Sequence, residues 1–213
     1  MKKNLFAAIA VIAVGALAAP SLSQAQFGNL LSAAKLPSSS GNSAGADVGA
    51  QQDSLVRSYL AAGNDVSVAN RHLSDALGIK TSAVNDAATS GSLSANDIAE
   101  KDKAISENAA KVSEGLKAGA TLKDNAAKAT FAKGILSLAT GVKKYADMRN
   151  DVQGFSSSLS GASPMQLPKL QAGVYVAKNM PTSLANLTTV LKSAVEFGKS
   201  NGVEIPKDAT SLL

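Results

Sequence analysis

The chain has 213 residues, with 21 Lys and Arg against 16 Asp and Glu, a formal charge of +5, one His, no Cys and only 4% aromatic residues. That length suits one domain with a single core, and the missing cysteines exclude disulfides, thiolate metal sites, covalent haem attachment and a Cys nucleophile. The weak basic bias, the scattered lysines and the isolated Arg57, Arg71 and Arg149 argue against nucleic acid as a partner, because such binders cluster their cations among aromatic stacking residues.

In chain order, residues 1–25 read as a secretory signal peptide. Lys2 and Lys3 precede an apolar run from Leu5 to Ala19, and Ser23-Gln24-Ala25 offers small residues at the −3 and −1 positions of a cleavage site. The run is short for a membrane anchor, which needs about 20 apolar residues, and nothing after Ala25 reaches that length. With no Cys to carry a lipid, the mature chain is expected to have no integral membrane span and to be a free periplasmic or secreted protein. Residues 26–47 follow as an N-terminal segment and linker: Phe27, Leu30 and Leu31 form a brief apolar cluster, then a Pro/Ser/Gly/Asn stretch has almost nothing to bury.

A helical domain is predicted over 48–201. Val48, Leu55, Tyr59, Ala62, Val66, Ala69, Leu73 and Ala76 recur at steps of three and four, interrupted by Gln52, and the phase runs through Gly63, so one long helix is expected. Residues 78–92 form a connection with room for one helical turn at 83–88. Ser94 or Asn96 can cap a second helix with the stripe Ile98, Ile105, Ala109, Val112 and Leu116. Its Asp97/Lys101 and Glu107/Lys111 pairs, with Glu100, Asp102 and Glu114, are assigned to a solvated face. After a turn at Gly119, a third pattern runs from Thr121 to Leu159. Gly161 to Pro164 break the chain. A last region, divided or kinked at Pro181, covers 166–179 and 181–200, and Asn201-Gly202 ends it before a tail over 202–213. The fold class is therefore all-α: an antiparallel up-and-down bundle of four to five long amphipathic helices.

Few residues carry chemistry. His72 is a lone ligand where zinc needs three or four, and no nucleophile elbow or phosphate-binding loop is present. No enzyme activity, cofactor or metal is expected. Gly134 and Gly141, seven residues apart on one face, each disfavour a helix interior by about 1 kcal/mol relative to Ala; they admit either a close neighbouring helix or a ligand. Tyr59, Tyr145 and Tyr175 fall on three helices in or beside the stripes and can converge as polar anchors of an apolar pocket. Together these five residues are the candidate ligand site.

Two functions remain. One is a non-enzymatic envelope interaction, scaffold or chaperone-like module with an envelope protein as partner, which requires a tight core and exposed apolar residues on a helical face or terminus. The other is a carrier or sensor of a small apolar, lipid-like molecule between the helices. Export predicts a mature N-terminus at Gln26, to be checked by intact mass of protein recovered from the envelope fraction or medium; a product retaining Met1 to Ala25 contradicts it.

Overall fold

The computed structural model describes residues 44–84 and 93–213; residues 1–25, expected to be a signal peptide, most of the 26–47 segment and residues 85–88 of the suggested turn lie outside the described residues. The architecture is an all-α bundle: α1 (Ala44–Leu77), α2 (Ala95–Lys117), α3 (Asn125–Asp147), α4 (Arg149–Leu159), a 3-10 turn (Leu167–Leu170), α5 (Gln171–Ser200) and α6 (Lys207–Thr210).

Helix α1 runs unbroken through Gly63, as its apolar phase predicts. A Cβ at Gly63 would lie 3.3 Å from Ile105 and 3.5 Å from the Tyr145 hydroxyl, so this glycine admits neighbours and does not end the helix. The true ends carry glycine in the left-handed region: Gly78, Gly119 and Gly202 have φ of 68°, 73° and 67°. After α1 and α5, the next N–H turns back to a carbonyl of the last turn, Ile79 to Ser74 and Val203 to Gly198. Helix α2 starts in a reciprocal capping box between Ser94 and Asp97. Asp124 caps α3 through the Ala127 N–H.

The pattern from Thr121 to Leu159 divides at Met148 into α3 and α4, although its apolar phase carries no mark of the break. Pro181 does the opposite. It lies exposed inside one continuous α5, which neither stops nor restarts there. The tail packs on the domain: Val203 and Ala209 are buried, and α6 rests on α3.

The most extensive seam joins α1 and α3, which run antiparallel: Leu73 meets Gly134, while Val66 and Ala62 meet Gly141. Ala62, Val66, Ala69 and Leu73 are fully buried there. Helix α2 instead runs in the same sense as α1, with Tyr59 at Asp102, Asn70 at Ile105 and Ile79 at Gly115. Helix α5 also ascends with α1. Gln52, the polar interruption of the first stripe, donates to the Lys169 carbonyl and accepts from the Gly173 N–H at 3.0 Å, fastening the start of α5 to α1.

A Cβ at Gly134 would lie 2.7 Å from Leu73 Cγ and 3.0 Å from its backbone N, whereas one at Gly154 meets nothing. Gly134→Ala is expected to lose about 1–3 kcal/mol by overpacking. Gly154→Ala on α4 is expected to gain about 0.5–1 kcal/mol. Urea unfolding of both variants measures this opposition.

Candidate functional site

Four helices bring their side chains to one point. Tyr59 from α1 donates to Asp102 Oδ2 at 2.7 Å, and Tyr175 from α5 donates to the same oxygen at 2.9 Å. Tyr145 from α3 meets the Tyr59 ring edge-on, with centroids 5.1 Å apart and planes at 75°. Ser183 Oγ stands 3.5 Å from the Tyr59 oxygen. Tyr59 and Tyr145 are buried, while Tyr175 and Asp102 are half-buried, so the cluster runs from the core to the surface.

Burial raises the Asp102 carboxyl above the ordinary aspartate range, against the Tyr59 and Tyr175 hydrogen bonds and the Lys101 charge, which favour the carboxylate. All three tyrosines are pushed upward, chiefly by burial and further by the Asp102 charge. They therefore stay neutral and act as donors; none is a phenolate nucleophile. Chemically the arrangement holds a carboxylate in place.

The candidate residues separate into two groups. Tyr59, Tyr145 and Tyr175 do converge, as the sequence suggested. Gly141 lies one turn before Tyr145, but the space beside it is taken by Val66 and Ala62, and that beside Gly134 by Leu73. Close helix approach accounts for both glycines. Sequence reasoning missed Asp102, assigned to the solvated face. Its position was legible: Ile98, Asp102, Ile105 and Ala109 are spaced as one apolar stripe. Lys101, assigned to the same face, was missed for the same reason, and Asn108 was given no role. Lys101 is buried and donates to Asn64 Oδ1 at 2.6 Å, and Asn108 both donates to and accepts from the Ser82 backbone. Glu107 faces Lys103 at 4.0 Å, not Lys111.

A groove of about 440 Å³ between α4 and α5, lined by Arg149, Val152, Met180, Pro181 and Leu184 among others, is open to the surface. The exposed large apolar side chains Leu136, Met165 and Leu213 come from separate places and form no continuous helical face among the described residues. Nor does any group of three or more His, Cys, Asp or Glu there have metal-binding geometry. No helix of the described residues is long and apolar enough to cross a membrane. A comparison with protein families, curated proteins and solved structures finds no match to this chain.

Tyr59→Phe removes one of two donors to a carboxylate taken largely out of water. Hydrogen bonds to charged groups contribute about 1.5–3 kcal/mol, so a loss of that order is expected near neutral pH. The loss should shrink as pH falls through the raised Asp102 pKa, where the carboxyl is neutral. Urea unfolding across this range measures the convergence; a pH-independent loss removes the role given to the charge.

Proposed function

We propose that this chain is a non-enzymatic, exported helical-bundle protein, freed from its signal peptide into the periplasm or medium, that acts as an envelope interaction, scaffold or chaperone-like module. The observation that carries this reading is that the chain's own atoms occupy both places where its sequence suggested a ligand. Tyr59 and Tyr175 spend their hydroxyl protons on Asp102. Leu73 and Val66 fill the space at Gly134 and Gly141. A buried polar cluster satisfied from within orders the helices that carry it, and ordered helical surfaces are what a binding partner needs to find.

The alternative, a carrier of a small apolar molecule, requires these helices to part, because the α4–α5 groove is open and would leave an apolar guest partly in water. Catalysis is disfavoured by chemistry: the tyrosines are held neutral and the central carboxylate is engaged by two donors.

Native mass spectrometry of protein purified gently from its own envelope fraction distinguishes the readings. The interaction module is expected to carry no small-molecule mass and, after crosslinking in cells, to yield discrete adducts with other proteins. A persistent lipid-sized mass overturns it in favour of the carrier.

A further inference from the structure

We propose that Asn201 is a site of spontaneous deamidation whose rate is set by the cap of α5, and that its conversion loosens the C-terminal tail. Asn201-Gly202 is the only Asn-Gly pair in the chain. Glycine in second place is the least hindered nucleophile an asparagine can meet, because no side chain shields its amide nitrogen or restricts rotation about it. The pair closes α5, with Asn201 half-buried and Gly202 exposed, so water reaches the reacting atoms.

The chemistry needs no catalyst. The Gly202 nitrogen gives its proton to hydroxide and attacks Asn201 Cγ, forming an N–Cγ bond. The Cγ–Nδ2 bond breaks, and Nδ2 takes a proton from water and leaves as ammonia. Water then opens the five-membered imide. Cleavage between Cγ and nitrogen gives aspartate, whereas cleavage at the main-chain carbonyl gives isoaspartate, whose chain runs through Cγ. The net change is one water in and one ammonia out.

The cap holds each reacting group away from this path. Ring closure requires the Gly202 nitrogen to eclipse Asn201 Cβ about the Cα–C bond. At the observed ψ of 9° it nearly eclipses the Asn201 backbone nitrogen instead. The Gly202 N–H, whose proton must be lost, donates to the Lys199 carbonyl at 3.2 Å. The leaving amide donates through Nδ2 to the Phe197 carbonyl at 2.9 Å. Beyond the pair, the Val203 N–H returns to the Gly198 carbonyl at 2.9 Å, the Val203 side chain is buried, and Ile205 packs on Gly198. Reaction therefore proceeds from the fraction of molecules in which this turn has opened.

Either product prevents the turn from closing as before. The Phe197 carbonyl loses its donor and faces a carboxylate, and the new charge lies at the negative end of the α5 dipole. Isoaspartate also lengthens the main chain just ahead of Val203. The segment that follows carries α6, whose Ala209 is buried and which packs on α3. Deamidation thus weakens the anchor of residues 203–213 in one direction only.

Peptide mapping by mass spectrometry, with isoaspartate detection, of the purified protein incubated at mildly alkaline pH tests this. In guanidinium chloride, Asn201 is expected to convert faster than any other described asparagine. In native buffer its conversion should be slower by roughly tenfold or more, since an opening that breaks two hydrogen bonds is a minority state. Ile205→Ala, which leaves the reacting pair unchanged, should give an intermediate native rate. Asn201→Asp, one of the two products, should raise hydrogen exchange over residues 203–213 several-fold while α1 stays protected. If Ile205→Ala does not fold, the native and denatured rates of the unaltered chain decide the role of the cap. Equal rates in the two solvents, an unaltered rate in a folded Ile205→Ala, or unchanged tail exchange in Asn201→Asp overturns the proposal.

Discussion

The near-contact of α1 and α3 sets the geometry of everything else. Glycine at 134 and 141 removes the side chains that would hold the helices apart, and Leu73 and Val66 lie directly on the opposing backbone. This closeness delivers Tyr145 to Tyr59 with their rings 5.1 Å apart. It also leaves the remaining flanks of α1 for α2, α4 and α5, so that α1 touches every other long helix. With no cysteine in the chain, such packing is the means by which the fold holds together.

Around that dry seam the bundle adds a second kind of contact. Gln52 clasps the start of α5, Asn70 the backbone of α2, and Asp102 joins α2 to α1 and α5. Polar contacts of this kind contribute modestly to stability but strongly to register, because a shift of one residue strands a buried donor or charge. Dispersion between small side chains supplies the proximity, and directional hydrogen bonds select among the packings that proximity allows.

The sequence displayed what is periodic. Apolar spacing located α1 across Gly63, α2 with its Ser94 cap, and the turns at Gly119 and Gly202, because these depend on local backbone preference and on one face being buried. It concealed what depends on partners. The division at Met148 leaves the apolar phase intact, and Pro181 is tolerated in α5 at an exposed position. The site was half legible: three tyrosines on three stripes pointed to one another, but their acceptor was classed by charge and so placed in solvent. Gln52, Asn70, Lys101, Asp102 and Asn108 share one signature, a polar residue at a position whose spacing belongs to the core. Such residues mark where helices are bonded together, and charge alone misassigns them.

The clasp of Gln52 on Lys169 and Gly173 also bears on the timing of folding. It joins segments separated by 117 and 121 positions. A ribosome makes the central helix first, yet that helix can bury its flanks only after α3 and then α5 have emerged. Contacts of such long range form late and slow the folding of the whole. Stability of the bundle therefore arrives only once α5, the last of its long helices, has joined α1.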